Sequence, residues 1–164
     1  MIDAAIGTLC ALNTHRLDRG ELAQLSAHLK VNNLPFSDIE TSTGAFFAFR
    51  TAQDETLGYA GVELFGRDGL LRSVLVLPAW RNRGLGSAIV EMAAALAREL
   101  GVERLYLLTV DAADFFAARG FGALPRADAP ARIAQSSEFA SLCPASALFM
   151  GRDLRALRPS LPVA

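Results

Sequence analysis

At 164 residues the chain has the length of one ordinary domain. With 52% apolar and 20% charged residues it can bury a real core, and disorder is excluded on composition. A net charge of −1 excludes broad binding to nucleic acid, which needs a basic face, so no nucleic-acid partner is expected. No apolar stretch reaches the ~18 residues of a membrane span, so no membrane partner is expected either. The two cysteines, Cys10 and Cys143, form neither a disulfide framework nor a CxxC or Cys/His ligand cluster, so no metal site is expected. Met1-Ile2-Asp3 lacks the basic start of a secretory signal, and the expected location is the cytoplasm.

In chain order, Thr8 to Arg16 reads as a first strand. Asp18 stands three residues before Glu21, the spacing of a capping box. Leu22, Leu25 and Leu29 follow at helical intervals to about Lys30, and Asn32-Asn33 and Pro35 end the helix. Phe36 to Glu40 reads as a short helical turn. Gly44 to Arg50, Thr56 to Phe65 and Leu70 to Leu77 read as strands, with hairpin chemistry at Gly66-Arg67-Asp68-Gly69. The last of them is nearly all apolar at its end, as expected of a strand covered on both faces. Pro78 stops it. A helix opens at Gly84 to Gly86 with an apolar stripe of Leu85, Ile89, Met92, Leu96 and Leu100, and Gly101 stands where a C-terminal cap belongs. Glu103 to Leu108 is a short strand, and Asp111 can cap a helix through Ala118. A strand follows Phe121, Ala129 to Phe139 reads as helix, and Ala145 to Met150 closes the sheet. The expected fold class is α/β (α+β), with a mixed sheet and flanking helices. One domain is expected over residues 1–154, with a tail at 155–164.

The chemistry concentrates at Val74-Leu75-Val76-Leu77-Pro78-Ala79-Trp80-Arg81-Asn82-Arg83-Gly84-Leu85-Gly86-Ser87. A buried strand ends, the chain turns, and a glycine-bearing turn becomes the first turn of a long helix. The first N–H groups of a helix have no acceptor inside it and sit at the positive end of its dipole, so a phosphate placed there meets several donors. At Gly84 and Gly86 a Cβ would hold a diphosphate away from the backbone, and Arg81 and Arg83 add positive charge. A bare GxG is equally a tight strand-to-helix turn. The absence of GxxxxGK[ST], and of GxGxxG with a downstream acid, excludes the two commonest nucleotide loops.

The run from Val76 through Pro78, Trp80, Arg81, Gly84 and Gly86 resembles the acetyl-CoA loop of the GCN5-related N-acetyltransferases (GNAT), whose pattern is (Q/R)xxGx(G/A) after an apolar strand. Phe115-Phe116, Arg119, Gly120 and Phe121 resemble the FYxxxGF segment of that superfamily. The resemblance implies the GNAT fold, a mixed, mostly antiparallel sheet of about seven strands whose strands from Leu70 and Glu103 splay to admit the co-substrate acetyl-CoA. Val74, Leu75 and Val76 would pair with the pantetheine arm, and a bulge would aim a backbone N–H, assigned to Val76, at the thioester carbonyl. Arg81, Asn82, Arg83, Gly84, Leu85, Gly86 and Ser87 would hold the diphosphate, with Phe116 beside the cofactor. An amine would attack the thioester directly. The sequence departs from the family where its tyrosine acid would stand, because Phe116 has no proton to give, and Thr109 replaces an asparagine. The thiolate then leaves unprotonated, since thiol pKa values lie near 8.5, or takes its proton from water or Cys143. Phe116 reads equally as core packing.

Glu63, on the strand preceding the cofactor strand, is the first choice of general base, with Glu138 second. Both have the plain alternative of an ordinary surface carboxylate. The lone histidines His15 and His28 are weak candidates. Ser136 to Ala147, together with Leu105 to Thr109 and Ala113 to Phe116, resembles the arsenic-resistance N-acetyltransferase subfamily, which implies an amino-acid-like or arsenical acceptor. Arg50, Arg72 and Arg126 are the basic candidates for an anionic acceptor. Cys143 is a soft ligand or a small buried residue. The leading expectation is an N-acetyltransferase acting on a small amine. A protein N-acetyltransferase and a non-catalytic acyl-CoA or arsenical sensor are the alternatives. Dimerisation is common among the relatives, and a homodimer would cover Gly44 to Arg50.

Overall fold

The computed structural model describes residues 12–155. The expected first strand is seen as β1, Asn13–Arg16, and its first residues lie outside the described range, as does the expected tail beyond Arg155. The elements then run α1 (Leu22–Val31), β2 (Ala45–Arg50), β3 (Thr56–Phe65), β4 (Asp68–Val76), α2 (Leu85–Glu99), β5 (Arg104–Thr109), α3 (Ala113–Ala117), β6 (Gly122–Leu124), α4 (Ala131–Ala134) and β7 (Leu148–Asp153). Seven strands form one sheet in the order β1-β2-β3-β4-β5-β7-β6. Among the described pairings β4–β5 is parallel, and β1–β2, β2–β3, β5–β7 and β6–β7 are antiparallel. The mixed α/β architecture is the one expected from the element order, and the seven, mostly antiparallel strands are those the family resemblance implies.

The chain divides into two compact units. One is Met1–Glu63 with Leu71–Ala93, so far as these are described, and the other is Leu64–Leu70 with Ala94–Ala164. In the first, Leu22, Leu25 and Leu29 of α1 pack with Ile39, Phe46, Ala48, Tyr59 and Leu75. In the second, Leu70, Tyr106, Ile133 and Phe149 form the core, with Phe65 and Phe139 against it.

Local chemistry explains most boundaries. The capping box closes: the Glu21 N–H donates to Asp18 Oδ1 at 3.0 Å, and the Asp18 N–H donates to Glu21 Oε1 at 3.2 Å, over the turn that leads into α1. His15 Nε2 lies 2.9 Å from the same carboxylate, and Arg50 Nη2 lies 3.5 Å from it. The hydrogen bond from His15, then that from the Asp18 amide, hold the Glu21 carboxyl below the usual range. A carboxylate lowered on folding stabilises the fold above its unfolded pKa, and that contribution is lost as pH falls through the folded value. The urea midpoint of Glu21→Gln is therefore expected to fall short of wild type at neutral pH, with the gap closing as pH drops below the ordinary glutamate range. A gap that stays constant across that range would show that the carboxylate makes no charge-dependent contribution.

Four boundaries or faces differ from expectation. The buried stripe of α2 is Leu85, Ile89, Val90, Ala93, Ala94 and Ala97, whereas Leu100 is exposed. Leu85 and Ile89 keep their expected places, whereas Met92 and Leu96 are only half-buried and the rest of the face is taken by Val90 and the alanines. Asp111 does not cap α3, because Thr109 Oγ1 accepts the Ala112 N–H at 3.0 Å instead. The expected helix 129–139 breaks after Ala134. There the buried Ser136 hydroxyl donates to the Ile133 carbonyl at 2.6 Å and diverts the backbone. A separate π-type turn covers Glu138–Leu142. Finally, the turn bond from the Ala147 N–H to the Pro144 carbonyl delays β7 until Leu148.

Candidate active site

The strand β4 holds one residue with unusual backbone. Ser73 has φ 57°, a left-handed conformation that costs a non-glycine residue about 1–2 kcal/mol. Such a residue inside a strand turns the local backbone away from its regular course. Beyond it alternation returns. Val74 and Val76 are half-buried, while Leu75 between them packs into the α1 core. The peptide group after Val76 is held from both sides. The Leu77 N–H donates to the Leu57 carbonyl at 2.8 Å, and Arg81 Nε donates to the Val76 carbonyl at 3.1 Å.

A 3-10 turn, Pro78–Trp80, leads into the loop. Asn82 (φ 64°) and Gly84 (φ 75°) are left-handed, a pattern that gathers backbone N–H groups into a concavity. Helix α2 begins at Leu85, so the amides of Leu85, Gly86 and Ser87 have no acceptor inside it. Among the described residues, no turn or loop hydrogen bond takes its donor from the amides of residues 82–87. Residues 81–84 are exposed. The sequence reading placed both arginines beside a phosphate. In the structure the Arg83 guanidinium stands 5.0 Å from the Trp80 ring centre. Arg81 is committed to protein partners, with Nη2 donating to Asn32 Oδ1 at 2.6 Å. Asn32 in turn donates to the His28 carbonyl at 2.8 Å and caps α1.

Glu63 lies near the end of β3 in a buried ion cluster. Arg72 Nη1 donates to Glu63 Oε1 at 2.6 Å. The same guanidinium forks onto Asp38, Nη1 to Oδ2 at 2.6 Å and Nη2 to Oδ1 at 2.8 Å. The Arg72 side chain is 0% exposed, against 17% for Asp38 and 15% for Glu63. Arg72 Nε also lies 3.4 Å from the hydroxyl of the left-handed Ser73. Sequence reasoning singled out Glu63 and Arg72 separately. It missed Asp38, Asn32 and Ser73, whose parts depend on contacts distant in sequence.

In the second unit Phe116 is buried at 8% exposure, edge-on to Phe115 and Phe121. Glu138 is buried, and Cys143 Sγ lies 3.7 Å from its Oε1. Arg126 is spent on structure, donating to the carbonyls of Ala147 (3.0 Å) and Phe139 (3.2 Å). Of the other basic candidates, Arg50 contacts Glu21 and Asp54, and Arg72 is enclosed by its two carboxylates. Among the described residues no group of three or more His, Cys, Asp or Glu could hold a metal ion, and no helix is long and apolar enough to cross a membrane.

The sheet order and flanking helices define a fold found in solved structures of acetyltransferases. N-acetylglutamate synthase from Neisseria gonorrhoeae, complexed with coenzyme A and N-acetyl-glutamate, superposes with a TM-score of 0.69 at 17% identity, over 87% of this chain and 35% of that one. Rv2747 from Mycobacterium tuberculosis, solved with CoA, gives a TM-score of 0.68 at 19% identity, over 86% and 98% of the two chains. The sequence profile of the acetyltransferase (GNAT) family matches residues 12–122, and the chain belongs to that family. An amino-acid acetyltransferase of Mycobacterium tuberculosis is 42% identical over 53 residues, which are 32% of this chain. The chain spans about a third of the length of that relative and of the N-acetylglutamate synthase, 30% and 35% respectively.

Proposed function

We propose that this chain is an N-acetyltransferase that moves the acetyl group of acetyl-CoA to the amine of a small, amino-acid-like acceptor, with residues 1–154 acting as one catalytic domain. The observation that carries the reading is the row of amides at residues 82–87, at the start of α2, for which no backbone hydrogen bond outside the helix is seen among the described residues. These donors would take the diphosphate of the coenzyme, as helix N-termini take anions generally. Family membership supports acetyl transfer. The names of the amino-acid acetyltransferase and the N-acetylglutamate synthase support an amino-acid-like acceptor.

In this reading the left-handed backbone at Ser73 turns the chain that follows it, and the Val76 N–H faces the thioester carbonyl. A fixed backbone donor at a developing oxyanion is typically worth a few kcal/mol. Glu63 takes the proton that the attacking amine must lose, directly or through water. The C–N bond forms, the tetrahedral centre collapses, and the C–S bond breaks to release the CoA thiolate. With phenylalanine at position 116, where the family resemblance would put a tyrosine acid, the thiolate leaves as the anion or is protonated by water. The resemblance of residues 136–147 to the arsenic-resistance branch extends the acceptor class to amino-acid-like arsenicals.

Release of free CoA thiol over a panel of amino acids, their phosphonic and arsenic analogues, polyamines and peptides tests the proposal. Turnover with a small amino acid or analogue is the expected result. Turnover confined to peptides would move the reading to a protein acetyltransferase. CoA binding with no turnover on any amine would make the chain a sensor.

A further inference from the structure

We propose that Asp38 and Arg72 are positioning residues for the transfer reaction, acting through Glu63; this rests on Glu63 being the general base. The Arg72 side chain has no solvent exposure and ends between two carboxylates. A guanidinium in that setting is unfavourable unless it is paired and hydrogen-bonded. Asp38 pairs with it fork to fork, using both carboxylate oxygens and both terminal nitrogens. That geometry fixes the guanidinium plane and so fixes the direction of its third short contact, the 2.6 Å bond to Glu63 Oε1. A glutamate has three rotatable bonds, and one charge-assisted bond of this length removes most of its freedom.

The groups facing Glu63 come from three elements. Arg72 approaches from β4, and Asp38, from the segment before the 3-10 turn Ile39–Thr41, reaches it through Arg72. On the third side, a Cβ at Gly44 would lie 3.2 Å from Glu63 Cγ and 3.2 Å from Ser42 Oγ, so the loop before β2 lies against the stem. Arg72 also lies beside the hydroxyl of Ser73, the left-handed residue of β4. One guanidinium therefore braces the side chain that would take the proton and the bend that would aim the backbone donor.

The test is a cycle of Asp38→Asn, Glu63→Gln and the double variant, with kcat and KM for acetyl-CoA measured on folded, CoA-binding protein. Asparagine cannot offer both terminal nitrogens an acceptor, so the fork opens. Asp38→Asn is expected to lower kcat about tenfold or more, in line with the cost of misplacing a reacting group, with KM for acetyl-CoA unchanged. In the Glu63→Gln background the same substitution is expected to have no further effect, because residues that act as a unit are non-additive. A wild-type kcat in Asp38→Asn, or an equal loss in both backgrounds, would overturn the positioning role. A wild-type kcat in Glu63→Gln alone would overturn the base reading beneath it. If Asp38→Asn fails to fold, Arg72→Lys keeps the charge without the fork and is expected to show the same kcat-specific, non-additive loss.

Discussion

Gly58→Val is expected to be among the most destabilising single substitutions in the chain. A Cβ at position 58 would lie 2.3 Å from the carbonyl oxygen of Leu75 and 2.7 Å from Cδ1 of Ile89. The side-chain atom belongs to a buried isoleucine, and the oxygen belongs to the backbone of β4. Neither can retreat cheaply. Leu77, two residues on, is tied to the Leu57 carbonyl, and Ile89 is fully buried on α2. Overpacking a well-filled site costs about 1–3 kcal/mol and sometimes more, and a backbone clash of this depth belongs at the top of that range. For a chain of this size about 3 kcal/mol lowers Tm by roughly 6–12 °C. Gly122→Ala is the control, since a Cβ there meets nothing within 4 Å. Thermal unfolding of the pair checks the argument. Equal Tm values for the two variants would mean that β3 and α2 can move apart freely.

The opposite pattern is expected at Gly84. A Cβ there also meets no atom within 4 Å, so the only structural cost is its left-handed φ of 75°. That strain is worth about 1–2 kcal/mol, and the protein should remain folded. Binding should suffer far more. If the row of amides takes a diphosphate as proposed, a methyl group on it keeps the anion at a distance, and each charge-assisted bond lost is worth about 1.5–3 kcal/mol. That corresponds to roughly a 10- to 100-fold rise in Kd for acetyl-CoA. Calorimetric titration of Gly84→Ala, beside Gly84→Asn, which tolerates the left-handed conformation better, separates backbone strain from close approach. Wild-type affinity in both folded variants would remove residues 82–87 from the binding site.

Local signals made much of this fold legible. The strand 56–65, the capping box at Asp18 and Glu21, the start of α2 and its glycine end at Gly101 all depend on residues within a few positions of one another. Gly84 and Gly86 and the Phe115 to Phe121 segment pointed to the family for the same reason. What stayed hidden depends on distance or on size. Asp38 and Arg72 are 34 positions apart, and no periodicity connects a carboxylate before a short turn to an arginine inside a strand. The left-handed backbone at Ser73 has no glycine to announce it. The stripe of α2 is legible at Leu85 and Ile89 but not beyond them, because Met92, Leu96 and Leu100 outweigh the alanines by hydrophobicity while Ala93, Ala94 and Ala97 take the buried positions. The break after Ala134 turned on one hydroxyl, Ser136, which composition cannot distinguish from a surface serine.

The bracing of Arg81 changes what its substitution should mean. A cation that merely neutralises a phosphate is weakened by added salt, because mobile ions do the same work. A guanidinium wedged between the end of β4 and the cap of α1 acts by shape. Its removal would slacken the loop whether the solution is dilute or concentrated. Arg81 would then matter as a keystone, and the ionic-strength dependence of coenzyme binding would be left to Arg83 and the backbone.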